Sequence, residues 1–579
     1  MPGQLGYNAR MNAQNSVTGM FGTSLLFRLT GLVLGLVLLV GCAPAIPPIG
    51  EPPSATEPPG VPAPLSEQLN LRISQDVSFL RPWQPRSRDE ELMIGLLYNG
   101  LMRITPSMQA VPDLAADVQI SPDGKVLTFS LLPGLRWHDN LPLTSADVLA
   151  TLTYLRSLPL DDSALLQELA TIAAISAPDP ATVVIELYAP SAPLLSMLAV
   201  PILPQHVLET IDVRTADLLQ TPVGSGPFRL TQHLPGSSYG FERNAAFHRG
   251  APNIGRIALV VAPDPQIARQ ALLDGSLDLA EVPWDIRSSL RETPGFTLAA
   301  YPENGFFFLG FNLRDGRPFN DLRVRRALAA AVDLRGLAVI ATGEIGRPIG
   351  NSALPGSWAD QVPANTAAAD LERAAALLDE AGWLLPAGAA VRERDGVSLQ
   401  VTLYVRGDDA RRVAAAQTIA ATSARVGFDI QVQAVDYASV LLARYAPPFD
   451  FDLLLGGWSN GAASTDFADT LVYDPDDSAL FSAALTAGSG PTRNIVGFAD
   501  TAYDDAAAAA RAAYDLTTRA AAIRTMQERL RDELPYLFLW ADQQAVVAVD
   551  RLTTLDGPPD FSSPRYYAEI ERWYLLPRP

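Results

Sequence analysis

Apolar and polar residues alternate at Leu69, Leu71 and Ile73, the period of a strand with one face buried. Arg88 to Tyr98 reads as a helix, with Asn99-Gly100 as its stop. Ser121-Pro122-Asp123-Gly124-Lys125 predicts a turn that feeds a strand from Val126 to Leu132. Thr144 with Asp147 three residues on forms a capping-box pattern, so a helix is predicted from there to about Arg156. Asp321 caps a helix whose Val324, Ala327, Leu328 and Ala331 share one face. Arg323, Arg325 and Arg326 fall off that face and read as a solvated basic surface or structural ion pairs. From Leu371 to Gly382, Leu371, Ala374, Leu378 and Ala381 keep helical spacing, with Gly382 where a C-terminal cap belongs and Trp383 packing behind it. The second half repeats α/β units. A strand at Leu399 to Tyr404 leads to a helix from Asp409 to Arg425 closed by Gly427, then a strand from Phe428 to Gln433. After a helix at Tyr437 to Tyr445, the strand Phe451 to Leu455 runs into Gly456-Gly457-Trp458. The fold class is α/β.

The longest apolar run lies near the start. Leu29 to Val40 follows Arg28 and is interrupted only by Thr30. A spanning helix needs about 20 apolar residues, so this run suits the hydrophobic region of a signal peptide, residues 1–41. Leu39-Val40-Gly41-Cys42 resembles a bacterial lipobox, which implies cleavage before Cys42 and acylation of that residue. Cys42 is the one cysteine among 579 residues, which excludes an internal disulfide. Residues 43–65 are dominated by Pro, Ala and Glu, too poor in apolar area to fold, and are expected to form an extended linker. The expected location is the extracytoplasmic face of the cell membrane, held by lipid.

A formal charge of −20 repels phosphate backbones and argues against nucleic acid as a partner. A body of this length exceeds what one hydrophobic core organises, so several lobes are expected.

The run from Val111 to Val148 resembles the signature of the family 5 extracellular solute-binding proteins, the peptide- and nickel-binding components of ABC importers. It holds Pro112-Asp113-Leu114-Ala115, the Ser121 to Lys125 turn, Thr128-Phe129-Ser130-Leu131, Trp137-His138-Asp139 and Thr144-Ser145-Ala146-Asp147-Val148 in order. The resemblance continues through Pro204 to Leu208, Val223 to Phe228, Leu273 to Leu279, Phe311-Asn312, Phe319 to Ala331, Leu377 to Trp383 and Phe449 to Trp458. It implies a periplasmic-binding-protein-like fold of type II, a two-lobe clamp with a hinge and an inserted third lobe. Lobe I would comprise 66–104, 221–303 and 545–579, lobe II 105–220, and lobe III 304–544. It also implies a monomer without cofactor or catalysis, which captures a small polar solute, peptide-like above all, and passes it to a permease. Glycines let backbone approach a ligand and an indole offers a flat apolar face, so Gly457, Trp458, Ser459 and Asn460 are the candidate contacts, with Asn312 and Asp466. Dipeptide-binding members carry an Asp for the ligand ammonium where this chain has Gly461. Asp466 is the next carboxylate along.

Two other functions fit parts of the sequence. Gly236-Ser237-Ser238-Tyr239-Gly240 matches G-x-S-x-G, which would make a secreted serine hydrolase, but Pro235 before it and the strand-like order after it predict a hairpin. A solute-sensing lipoprotein would use the same cleft to engage a signalling partner. His138, His206, His233 and His248 are scattered and give no metal-ligand spacing.

Overall fold

A computed structural model describes residues 68–159, 163–210, 218–219, 222–459, 470–483 and 493–577. Cys42, the signal segment and the linker lie outside them, as do Asn460, Gly461 and Asp466. Among the described residues, no helix is long and apolar enough to cross a membrane.

Three sheets organise the chain. The seven-stranded sheet runs in the order Phe296–Pro302, Gln543–Val549, Leu279–Val282, Gln68–Ile73, Arg256–Val261, Ser238–Arg243, Phe228–Leu234. The strand predicted at Leu69 lies at its centre, parallel to Arg256–Val261, and its alternation sends Leu69, Leu71 and Ile73 into one core. Helix Arg88–Leu97 and the C-terminal aromatics Phe561, Tyr566, Tyr567 and Trp573 cover that face. The opposite face is packed by helix Pro265–Asp274 through Ala268 and Leu272. The four-stranded antiparallel sheet Ala115–Ile120, Val126–Leu131, Thr182–Leu187, Ile172–Asp179 is backed by helix Ser145–Arg156. Both halves of that helix's capping box form: Asp147 accepts from the Thr144 N–H at 2.8 Å.

The six-stranded sheet runs Arg347–Pro348, Tyr536–Ala541, Gly305–Phe311, Leu453–Ser459, Gln400–Arg406, Asp429–Val435. Both of its faces are buried. Leu309 goes to one core with helices Leu322–Ala330, Leu371–Glu380 and Ala410–Ala424, while Phe306 and Phe308 go to the other with Tyr503, Met526 and Tyr536. This is a mixed α/β two-lobe clamp built on two large sheets.

The predicted caps hold. Asp321 accepts from the Arg323 N–H, Asp409 from those of Arg411 and Arg412. After helix Leu371–Glu380, Gly382 takes a left-handed φ of 81° and the Trp383 N–H donates back to the Leu378 carbonyl at 2.9 Å, the geometry of a Schellman ending. Two readings need correction. Arg325 is buried, and its guanidinium donates to the carbonyls of Phe319, Asn320 and Glu533, the last at the end of helix Leu516–Glu533. A helix C-terminus leaves carbonyls without donors, and this arginine supplies them. The strand expected to stop at Leu455 runs on through Gly456, Gly457 and Trp458 to Ser459. The glycines are strand residues because Phe308 and Phe307 sit directly opposite them.

Candidate ligand-binding site

Strands of the two large sheets run almost directly into one another at two neighbouring places. Strand Phe296–Pro302 ends one and Gly305–Phe311 begins the other, with Glu303 and Asn304 between; Tyr536–Ala541 and Gln543–Val549 are likewise separated by Asp542 alone. The strands pair antiparallel on both sides of the passage, Pro302 opposite Gln543 and Phe307 opposite Trp540. The Glu303 N–H donates to the Asp542 carbonyl at 2.8 Å, so the crossings are tied at the passage itself. The paired crossings form a two-stranded ribbon, a joint between the two sheets.

Charged groups from both sides converge there. Asp542 accepts from Arg411 Nη1 at 2.8 Å and from the Trp540 indole at 3.1 Å. Across the joint, Glu281 accepts from the hydroxyls of Tyr301 at 2.7 Å and Tyr566 at 3.0 Å. Arg88 donates to Glu91 at 2.6 Å, Thr470 at 3.2 Å and the Pro564 carbonyl at 2.6 Å, and its guanidinium lies over the Tyr301 and Tyr567 rings. Glu303 differs from all of these. Its side chain is open to solvent, yet the surrounding protein pushes its carboxyl up to about 7, first by desolvation and then by the like charges of Asp542 and Glu281, against the pull of Arg88 and Arg411. Glu303 is thus the exposed carboxylate at the joint.

The sequence candidates fall on its six-stranded side. Ser459 pairs with Gly305 and Trp458 with Phe306, the first two residues beyond the crossing. Trp458 is half-buried, stacked over Phe308 at 6.1 Å and tilted against Tyr445 at 5.8 Å, while its indole N–H donates to Tyr536 Oη at 3.2 Å. The indole donor is therefore engaged by the protein. Gly456 and Gly457 admit the rings opposite: a Cβ at Gly456 would lie 2.8 Å from Phe308, and one at Gly457 3.2 Å from Phe307. Asn312 is not brought to this group. It follows the far end of strand Gly305–Phe311, about 20 Å from the Trp458 pair at strand rise. Its amide donates to the Phe449 and Phe451 carbonyls at 2.9 and 2.7 Å, and its oxygen accepts from Arg314, so the fold uses both polar atoms. Glu303, Arg411 and Asp542 had not been singled out from sequence. The available signal was position, an acidic residue between two apolar strand patterns.

Past the undescribed stretch after Ser459, Thr470 donates to Glu91, Leu471 enters the core of the seven-stranded sheet and Tyr473 that of the four-stranded sheet. The chain therefore leaves the candidate site on one side of the joint and reappears on the other.

Helix Thr501–Ala512 meets the four-stranded body. Arg511 pairs with Glu168 at 2.8 Å and its carbonyl accepts from the Ala192 N–H at 2.6 Å. Tyr514 accepts from the Ser191 N–H and donates to the Gly124 carbonyl. The Trp358 indole donates to the Met108 carbonyl at 2.9 Å.

The hydrolase motif is a hairpin: Phe228–Leu234 pairs with Ser238–Arg243, and Ser238 opens a strand instead of a helix. Among the described residues, no three His, Cys, Asp or Glu side chains gather as metal ligands.

Residues 109–479 match the profile of the bacterial extracellular solute-binding proteins, family 5. This chain belongs to that family. Protein XP55 of Streptomyces lividans is 29% identical over 506 residues, covering 86% of this chain and 89% of the relative. A putative ABC transporter peptide-binding protein of Brucella ovis is 27% identical over 476 residues, 80% of this chain and 85% of its own. Among solved structures, an unliganded open form of a periplasmic murein tripeptide binding protein superposes with a TM-score of 0.73 at 19% identity, covering 89% of this chain and 98% of that one. As a family 5 protein, this chain carries the clamp fold that its two large sheets display.

Proposed function

We propose that this chain is the substrate-binding lipoprotein of an ABC-type importer. It captures a peptide or other small polar solute between its two large lobes and delivers it to a membrane permease, without covalent chemistry. The observation that carries this reading is the paired crossing at Glu303 and Asp542, with the strand end Trp458-Ser459 in register directly beside it. A thin ribbon between two packed bodies lets them close over a solute that touches both, and such a solute favours the closed state by its differential contacts. Family membership and the name of the Brucella ovis relative support a peptide as the solute. The lipobox resemblance at Cys42 supports anchoring by acyl chains, which would keep a protein of strongly negative charge at a membrane it would otherwise avoid.

The test is native mass spectrometry of protein purified from its host, which is expected to carry a small-molecule adduct, followed by calorimetry with that compound. Trp458→Ala should weaken binding by about 2 kcal/mol, roughly thirtyfold in Kd. Unchanged affinity would remove Trp458 from the pocket. Turnover of the bound compound would replace the transport reading with an enzymatic one.

A further inference from the structure

The four-stranded body is fastened to the seven-stranded one. Asp113, buried just before strand Ala115–Ile120, accepts at 2.7 Å from Asn99, which lies just past helix Arg88–Leu97. It also accepts from Arg249 at 2.7 Å, and the same guanidinium donates to Glu571 at 2.9 Å. The His138 N–H adds a bond to the Gly224 carbonyl at 2.8 Å. A rotation between the two large sheets therefore carries the four-stranded body along and must part it from the six-stranded one.

At that surface two apolar side chains enter the core of the four-stranded sheet. They are Leu354, shortly after strand Arg347–Pro348, and Tyr473, next to the Asp474 that Arg519 of helix Leu516–Glu533 holds at 2.7 Å. Beside them Arg511, at the end of helix Thr501–Ala512, pairs with Glu168 at 2.8 Å and with Asp476, and the Ser191 hydroxyl donates to Glu168. Asp474 accepts from Ser196 at 3.1 Å. Burial alone would lower the Arg511 pKa, but Asp476 and Glu168 raise it overall. Arg511 and Glu168 are thus spent on protein partners. Apolar burial draws such surfaces together, whereas a buried ion pair roughly breaks even against its own desolvation. Removing one charge of the pair changes that balance, because its partner is uncompensated when the bodies meet and rehydrated when they part.

We propose that the four-stranded body is a clasp that holds the clamp shut, and that Arg511 with Glu168 and Asp476 sets the share of closed protein and so the affinity for every solute alike, without touching one. This rests on the hinge reading above and goes beyond it by assigning part of the closure to contacts within the protein. A protein whose competent state is only partly populated binds more weakly by that fraction.

The first test is hydrogen exchange, read by mass spectrometry on the full chain without solute. The Ser191 amide donates to Tyr514 Oη at 3.0 Å and the Ala192 amide to the Arg511 carbonyl at 2.6 Å, and both acceptors survive in Arg511→Met. That variant leaves Glu168 and Asp476 without their shared cation, so exchange at both amides should quicken by about tenfold. The Phe129 and Leu309 amides, inside the four- and six-stranded sheets, should keep their wild-type rates and so show that both bodies are folded. Glu168→Gln keeps the shape and leaves Asp476 on Arg511, and should quicken exchange by about threefold. If Arg511→Met disturbs the two control amides, this milder variant decides. Wild-type rates at Ser191 and Ala192 in the deciding variant overturn the clasp. The second test mixes each protein with a degenerate tetrapeptide pool and reads retained masses by native mass spectrometry. Arg511→Met should retain each member about tenfold less, in unchanged proportions. Altered proportions would mean that Arg511 touches the solute, and would overturn the proposal. If the wild type retains no tetrapeptide, the peptide reading falls while the exchange test still decides the clasp.

Discussion

Gly456 and Gly457 show how single residues set the site. Each lies directly across from a phenylalanine, and the missing side chain is what lets Phe308 stack on Tyr536 at 3.9 Å and Phe307 on Trp540 at 4.9 Å. A methyl at Gly456 would meet both Phe308 and the Tyr445 hydroxyl. Gly456→Ala is expected to cost about 1–3 kcal/mol of stability through overpacking, read as a lower unfolding midpoint in denaturant. A second residue-scale prediction concerns Asp113, buried with Arg249 at 2.7 Å, His248 at 2.8 Å and Asn99 at 2.7 Å. Burial alone would raise its pKa, but the Arg249 guanidinium and His248 outweigh it and hold it well below the usual carboxylate range. Asp113→Ala should cost about 3–5 kcal/mol, because Arg249 keeps its charge in a buried place with half of its counter-charge gone. Equilibrium unfolding reads this directly. The sequence shows the glycines and the tryptophan as a group, but not what lies across from them, because the partner strand is distant in the chain.

Elements were legible where their ends carry their own chemistry. The Thr144 and Asp147 box, the Asp321 and Asp409 caps and the Gly382 ending are local hydrogen-bond patterns, and the structure forms each where the residues predict it. Arg325 was misread for the opposite reason. Its acceptors belong partly to the end of helix Leu516–Glu533, which nothing near Arg325 announces. Burial brings its pKa down to about 10, so it remains charged at neutral pH. Arg325→Met keeps the stem but deletes the donors, and should lower stability by about 2 kcal/mol by leaving carbonyls without partners. The site was legible only in part for the same reason. Trp458 and Ser459 stand out along the chain, whereas the joint beside them exists only because two crossings from remote stretches come side by side.

For the whole molecule, the raised Glu303 carboxyl ties pH to stability. The native state holds this proton more tightly than the unfolded chain does between the ordinary carboxylate range and about 7. The stability linked to it is complete below the ordinary range and is lost as pH rises through about 7. Glu303→Gln should remove that part of the loss, seen as a smaller drop in unfolding midpoint between about pH 5 and about pH 8. The contacts of Arg511 and Tyr514 with the four-stranded body do not involve the crossing residues. If the bodies separate by rotation about the crossings, these are the contacts that break.

The bond from the Glu303 N–H to the Asp542 carbonyl sits where such a rotation would have its axis, while the bond from the Ala192 N–H to the Arg511 carbonyl joins the four-stranded body to helix Thr501–Ala512. Hydrogens on an axle stay sheltered through every swing, and those between the jaws are bared each time the jaws part. In deuterium exchange the Glu303 amide should therefore label slowly with or without cargo, and the Ala192 amide should label quickly until cargo is added.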